Sequence, residues 1–191
     1  MVICNHPDVD YRKACFDAYN RWLEQFCEVD TDRLIGLPMI GLRTIEEGIG
    51  ELEAAKAAGA KGVMLSGNTC FEDYDHPSYD PFWEACIDLG LPPAFHILTT
   101  RGDIGDHQRG HKIIQHMLTI RGNQDIMAMM IFGGVFERHP KLKIVCVEAD
   151  AGWVPHYMYR MDHAYKRHHN WLPADQALTK LPSEYFAEHI Y

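Results

Sequence analysis

Four short runs of apolar residues, each followed by a segment with helical periodicity, dominate the pattern of this chain. The runs cover residues 34–40, 62–66, 94–98 and 144–147. Strands that are almost continuously Val, Ile, Leu and Met are typical of parallel sheets covered by helices on both faces. The pattern therefore predicts an α/β protein. Pro38 cannot donate to a strand ladder, so the first run is expected to be bulged or to end early.

Amphipathic helices are predicted between these runs. Residues 10–26 form the first, and its charged residues, Arg12 among them, are expected to face solvent. The apolar stripe of this helix consists of Phe16, Tyr19, Leu23 and Phe26. Thr44 and Glu47 form a capping-box pattern at the start of the second helix, and Gly59 suits the left-handed position at its end.

Further helical segments follow along the chain. Asp80 precedes a proline, which is the usual start of a helix. Residues 107–120 and 124–136 both have helical patterns, and the glycine pair at 133–134 weakens the second. Residues 153–168 form the last predicted helix, with a proline in its first turn.

The ends of the predicted strands are the places to look for function. A rhythm of strand, helix and parallel strand is the signature of doubly wound sheets and of (β/α)8 barrels, whose sites lie at the carboxyl ends of the strands. In this chain those positions hold residues 66–68, His96, Glu148 and Asp150. Neither a G-x-G-x-x-G motif nor a P-loop is present, which argues against a nucleotide cofactor.

His96 is the leading candidate for chemistry. Phe95 and Ile97 flank it on a strand, so its ring is expected to project from the opposite face, toward the mouth of a barrel. Neutral imidazole is a common metal ligand and a general base near neutral pH. The alternative is a core histidine that is hydrogen-bonded to the backbone, and both interpretations stay open.

Glu148 and Asp150 form an acidic pair after the last run. They alternate along a segment expected to be extended, so both would face the same side, as acid–base chemistry or ligation of a hard metal requires. Capping of the following helix is an equally good explanation for Asp150 alone.

The remaining histidines fit surface positions better. Those on the helix predicted at 107–120 lack the H-E-x-x-H pattern and are expected on its solvated face: His107, His111 and His116. Those near the end of the last helix suit the carbonyl end of its dipole: His163, His168 and His169. The aromatic and acidic stretch at 74–83 is either a substrate lid or packing that seats the next helix.

Composition narrows the function classes. The 191 residues suit one domain with a sizeable core, and 47% of them are hydrophobic. The net charge of -9 comes from 27 acidic and 18 basic residues without a basic stripe, which argues against nucleic acid as a partner. Six cysteines without a C-x-x-C pair favour a reducing cytoplasm. No apolar window approaches the roughly 20 residues of a membrane helix, so a soluble, unexported protein is predicted.

Several stretches, in order over nearly the whole chain, resemble a known family. They are residues 18–23, 32–36, 79–83, 95–97, 133–142, 148–155 and 160–162. The family is that of the amidohydrolase-related metal-dependent enzymes, of the type that includes aminocarboxymuconate-semialdehyde decarboxylase. The resemblance implies a (β/α)8 TIM-type barrel with a divalent metal, commonly zinc. It also implies hydrolysis or C–C cleavage of a small carboxylated or aromatic compound. His96 matches the mid-barrel ligand histidine, and Glu148 and Asp150 stand where a catalytic histidine follows a later strand in many relatives.

The chain departs from this pattern at both ends. The family has H-x-H on its first strand and an aspartate ligand on its last, and this chain has no H-x-H. Residues 1–6 resemble the tail of an early strand, and residues 188–191 stand where the next strand would begin. The resemblance thus implies a single domain over residues 1–191, a partial barrel of parallel strands and flanking helices that lacks the first and last strands and part of the metal site.

Three hypotheses from different classes follow from these observations. The chain is a metal-dependent hydrolase or decarboxylase with a small-molecule substrate, a truncated and non-catalytic remnant of that fold, or an interaction module on an open α/β sheet. The likeness to the family and the apolar surface that a partial barrel exposes both favour a homodimer.

Overall fold

The computed structural model describes residues 2–100, 110–173 and 176–191. Its helices are α1 (Val9–Cys27), α2 (Ile45–Ala57), α3 (Asp80–Leu89), α4 (Lys112–Met117), α5 (Arg121–Phe132), α6 (Val135–Arg138), α7 (Val154–His168) and α8 (Pro182–His189). Its strands are β1 (Val63–Leu65), β2 (Pro93–His96) and β3 (Val145–Val147). Within the described residues, no helix has both the length and the apolar character needed to cross a membrane. His107 and the start of its predicted helix lie outside the described residues.

The strands form one parallel sheet in the order β1-β2-β3. Phe95 at the centre of β2 pairs with Leu65 on one side and with Cys146 on the other. Parallel bridges extend the ladder at both edges, where Met39 pairs with Met64 and Ile144 pairs with Ile190. The predicted parallel α/β architecture is confirmed, and the bridge at residue 190 lies where the family resemblance places the start of a further strand.

The prediction of a strand over residues 34–40 is wrong for most of that segment, because only an isolated bridge forms there, at Met39. The Pro38 carbonyl accepts a hydrogen bond from Met64 N at 2.9 Å, and Ile40 N donates to Met64 O at 3.0 Å. On the opposite side, the Asn20 side chain of α1 occupies both the N–H and the carbonyl of Met39, each at 2.8 Å. An amide side chain therefore satisfies the backbone where a neighbouring strand would.

The polar residue at the start of α2 and the glycine after its end behave as the sequence predicts. Thr44 Oγ1 accepts from Glu47 N at 3.2 Å at the start of α2, and Gly59 beyond its end has φ +85°. The glycine pair at 133–134 does more than weaken a helix. Gly134 adopts φ +70°, a conformation that only glycine enters without cost, so the predicted helix 124–136 is divided into α5 and α6.

An aromatic cluster fills the core between β2 and α3. Its fully or almost fully buried members are Tyr74, Tyr79, Phe82, Trp83 and Phe95. The Tyr74 hydroxyl donates to the carbonyl of Ser66 at 2.6 Å, and Trp83 Nε1 donates to the carbonyl of Tyr74 at 3.3 Å. Such burial favours packing over a substrate lid for the stretch at 74–83.

Helix α1 presents a different face to the core from the one predicted. Phe16 is buried, but Tyr19 and Phe26 are exposed together with Trp22, and their rings form a row with centroid separations of 5.6 and 5.4 Å. Arg12, expected in solvent, is only 4% exposed. The buried face follows positions 12, 16 and 20, because the side chain at position 20 must reach Met39.

His189, near the end of α8, is a buried titratable group of the core. It is 3% exposed, its Nδ1 lies 2.7 Å from the carbonyl oxygen of Leu142, and its ring stacks on Phe136 at 4.4 Å. Burial lowers the pKa of His189, because water can no longer solvate the charged ring.

We expect the free energy of unfolding to decrease as the pH falls through about 6.5, because the unfolded chain then binds a proton that folded His189 resists. Urea unfolding at about pH 7.5 and about pH 5.5 measures the difference. In His189→Gln, this pH dependence should become smaller, whatever the variant's stability at neutral pH. An equal loss in both proteins would contradict the assignment.

Candidate active site at the carboxyl ends of the strands

The structure brings His96 and Glu148 together. His96 ends β2 and is paired in register with Val147, so the residue that follows Val147 lies beside it. The Nε2 atom of His96 is 2.8 Å from Oε2 of Glu148. The histidine side chain is 16% exposed and the glutamate side chain 66% exposed, so the pair lies at the boundary between core and solvent.

The two nitrogens of His96 have different environments. Nδ1 lies 2.7 Å from the carbonyl oxygen of Ile97, which can only accept, so Nδ1 carries a hydrogen. In the neutral ring Nε2 is therefore the nitrogen with the free lone pair, and in the imidazolium it donates to Glu148. The backbone contact predicted for a core histidine is present at one nitrogen, while the other meets a carboxylate.

The acidic segment after β3 is not extended, and this part of the prediction is wrong. Glu148 has φ +56° and Asp150 has φ +55°, left-handed values that turn the chain at both positions. Asp150 is exposed, and the N-cap of α7 is Trp153, which makes no side-chain capping hydrogen bond, so the alternative of a capping role for Asp150 is also wrong. The Trp153 indole donates to the carbonyl of Ala149 and holds the turn.

Polar side chains order the loops around this pair, and of these the sequence singled out only Asn68, as part of residues 66–68. Thr99 Oγ1 donates to the carbonyl of His96 at 2.8 Å and accepts from Gly67 N at 2.9 Å. Asn68 Nδ2 donates to the carbonyl of Thr99 at 2.9 Å. Asn123 of α5, 1% exposed, donates to the carbonyl of Phe95 at 3.0 Å. Thr99 directly follows an apolar run, which is the signal that could have identified it.

Backbone strain accumulates at the same edge. The described residues other than glycine with positive φ are Leu42, Leu98, Glu148 and Asp150. Each follows a strand or bridge by a few residues. Left-handed backbone costs an L-residue roughly 1–2 kcal/mol and persists only where the surroundings determine it, as at functional sites.

The remaining histidines predicted at surface positions are exposed or half-buried. His111 and His116 are exposed beside α4, and His168 and His169 are exposed at the end of α7. His163 is half-buried on α7. Within the described residues, His, Cys, Asp and Glu side chains form no group of three that could hold a metal ion.

Glu148→Gly should unfold with a free energy about 1 kcal/mol greater than Glu148→Ala, because only glycine adopts φ +56° without steric cost. Both variants lack the carboxylate, so the comparison isolates the backbone from the ion pair. Chemical denaturation of both proteins measures the difference. The reverse order of stability would show that residue 148 is not held in the left-handed conformation.

Known proteins with similar sequences and structures provide an independent comparison. The chain is 27% identical over 148 residues to 2-amino-3-carboxymuconate-6-semialdehyde decarboxylase of Dictyostelium discoideum. The matched segment covers 76% of this chain and 40% of that protein. A crystal structure of an amidohydrolase from Mycobacterium avium subsp. paratuberculosis matches 96% of this chain and 49% of its own length, with 26% identity and a TM-score of 0.79.

A structure of 5-carboxyvanillate decarboxylase from Novosphingobium aromaticivorans, complexed with manganese and a nitrobenzoic acid, has the same fold. It matches 98% of this chain and 54% of its own length, with 19% identity and a TM-score of 0.79. The chain thus spans about half the length of the structures that it matches, or less in the curated relative. The predicted partial (β/α)8 barrel is confirmed.

A divalent metal of the kind in that structure needs more donors than the described residues bring together. His96 and Glu148 supply two groups of suitable chemistry, whereas catalytic zinc sites use three protein ligands. The described residues therefore do not make a complete metal site.

The family comparison covers almost the entire chain. The model described as Amidohydrolase matches residues 7–187, which include the strands β1 to β3 and both members of the His96–Glu148 pair. This chain belongs to the amidohydrolase family.

Proposed function

We propose that this chain carries part of the active site of a metal-dependent decarboxylase or hydrolase that acts on a small aromatic or otherwise carboxylated compound. The observation that carries the proposal is the 2.8 Å contact between His96 Nε2 and Glu148 Oε2 at the carboxyl ends of adjacent strands. Decarboxylation is favoured over hydrolysis because two of the similar proteins above are decarboxylases of carboxylated compounds.

His96 is proposed as a metal ligand through Nε2. The hydrogen bond from Nδ1 to Ile97 orients the ring and leaves the Nε2 lone pair directed away from the backbone. A metal and a proton compete for that lone pair, so ligation requires the neutral ring. The other ligands would come from outside the described residues, and zinc and manganese are the two metals to test.

Glu148 is proposed as the group that handles the proton. Loss of carbon dioxide from a substrate leaves an electron pair on carbon, and that carbon must take up one proton. A carboxyl group at Oε2 can supply this proton and recover it from solvent, since the side chain is 66% exposed. Asp150, exposed and two residues farther on, stays a predicted second carboxylate.

A non-catalytic remnant of the same fold is the second candidate. The observation that favours it is the incomplete donor set among the described residues. It differs from the first proposal in one measurable respect, because a remnant need not retain metal affinity at His96.

Location and assembly extend the proposal. All six cysteines are free, which supports the cytoplasm as the compartment. The exposed row of Tyr19, Trp22 and Phe26 on α1 supports a homodimer, because contiguous exposed apolar surface is typical of interaction sites.

Titration with Zn²⁺ and Mn²⁺ tests His96. We expect one site whose affinity falls at least about tenfold in His96→Ala, because the proposed imidazole ligand is lost. His168→Ala is the control, since it removes an exposed histidine of α7 and should leave this site unchanged. Equal affinities of His96→Ala and the unmodified chain would support the remnant.

Turnover tests Glu148. With 5-carboxyvanillate and Mn²⁺, Glu148→Gln should release carbon dioxide about 100-fold more slowly, because an amide cannot transfer the proton. Metal affinity measured in parallel separates a proton-transfer defect from loss of the metal. Turnover that is unchanged in Glu148→Gln would exclude the proposed role, and its absence in the unmodified chain with bound metal would support the non-catalytic remnant.

A further inference from the structure

Among the described residues, Arg12 is a buried cation without an anionic partner. Its residue is 4% exposed, and neither an aspartate nor a glutamate of the described chain lies within ion-pair distance of its guanidinium. Nη1 donates to the carbonyl of Cys4 at 3.2 Å, and Nη2 lies 2.6 Å from Sγ of Cys70. An isolated buried charge is strongly unfavourable, so such a group is normally paired with an anion.

Cys70 is the partner of Arg12 that can become negative. Within the described part of the chain, its sulfur has one other polar contact, with the carbonyl oxygen of Gly41 at 3.8 Å, which is too long to hold a thiol hydrogen firmly. The thiolate form of a cysteine is favoured by an adjacent arginine, and the thiolate is the nucleophile. Residue 70 is also partly exposed, so small reagents can reach it.

Other acidic groups near Cys70 do not replace it as the counter-ion. Burial raises the pKa of Tyr74 and of Tyr79, so both phenols are neutral at physiological pH. Glu72 and Asp73 belong to the same loop, but both are exposed, so water screens their charges.

The other thiols fall into two groups. Burial raises the pKa of Cys4, Cys86 and Cys146, which keeps these three thiols protonated and unreactive at neutral pH. Cys15 and Cys27 are partly exposed like Cys70. The structure gives neither of them an arginine contact of the kind that Cys70 has.

We propose that Cys70 is a covalent modification site whose sulfur, in contact with the buried guanidinium of Arg12, reacts selectively with small electrophiles and peroxides. With a haloacetamide, the sulfur forms a bond to carbon while the carbon–halogen bond breaks and halide leaves. With hydrogen peroxide, a sulfur–oxygen bond forms as the O–O bond breaks, which gives a sulfenic acid and hydroxide, and the hydroxide combines with the proton that the thiol released to solvent, which gives water. The sulfur is oxidised by two electrons and the peroxide is reduced.

Modification at this position would act on the strand ends. The Cys4 carbonyl that accepts a hydrogen bond from Arg12 also accepts one from Asn68 Nδ2 at 3.4 Å. Asn68 in turn donates to the carbonyl of Thr99, whose hydroxyl donates to the carbonyl of His96. Alkylation of Cys70 would block the sulfur that contacts Arg12, and the guanidinium must then move or find another partner. Cys70 thus connects thiol chemistry to the loops around the candidate active site.

Competition labelling of the full chain tests the proposal. With limiting iodoacetamide near neutral pH, peptide mass spectrometry should show Cys70 labelled at least about tenfold faster than Cys15 and Cys27. Arg12→Met, which keeps the bulk and removes the charge, should reduce the Cys70 rate toward those of the two controls. Arg12→Lys should retain most of the rate, and Arg21→Met, an exposed position on the same helix, should leave it unchanged.

Two outcomes would overturn the assignment. One is labelling of Cys70 in the unmodified chain no faster than of Cys15 and Cys27. The other is an unchanged Cys70 rate in folded Arg12→Met. Labelling of buried Cys86 reports on folding, because it rises only if the variant has unfolded. If Arg12→Met has unfolded, the proposal is judged from the labelling selectivity of the unmodified chain and from the Cys70 labelling rate in Arg12→Lys. Hydrogen peroxide followed by a sulfenic-acid probe should modify the same residue.

Discussion

The hydrogen bonding of β2 on both of its edges is the constraint on which the candidate site depends. Phe95 is fixed between Leu65 and Cys146, and the parallel register places His96 opposite Val147. Because parallel strands end at the same edge, the histidine and the glutamate that follow these strands must meet there, although 51 positions separate them along the chain. A slip of one residue would move the imidazole to the opposite face of the sheet.

Side chains complete the backbone hydrogen bonding where this ladder stops. Asn20 caps the edge at Met39, Asn123 satisfies the carbonyl of Phe95, and Thr99 satisfies that of His96. Buried main-chain groups need partners, and short polar side chains supply them without another strand. Arg12 likewise donates to a main-chain carbonyl, that of Cys4. Its burial costs more free energy, because a full charge rather than a neutral amide is removed from water.

The sequence predicts the parallel sheet, the ends of most helices and the proximity of residues 96 and 148, because these follow from periodicity and from the direction of strands. It does not predict the burial of Arg12, since amphipathic patterns assign any arginine to solvent and the position depends on contacts with distant loops. The left-handed turn at residues 148–150 is also missed, because neither Glu148 nor Asp150 is a glycine. Asn20 displaces the first strand through a tertiary contact that no local pattern encodes.

The left-handed residues around the site imply an uneven distribution of local stability. Each of these residues raises the free energy of the folded state by roughly 1–2 kcal/mol, and packing of the aromatic core must offset this cost. Segments with such stored energy open more readily than the strands behind them, so their amide hydrogens exchange with solvent before those of β2. A ligand bound at the strand ends would slow amide exchange in these loops before it slowed exchange in β2. The loops at the carboxyl ends of the strands would therefore respond to ligands more than the sheet does.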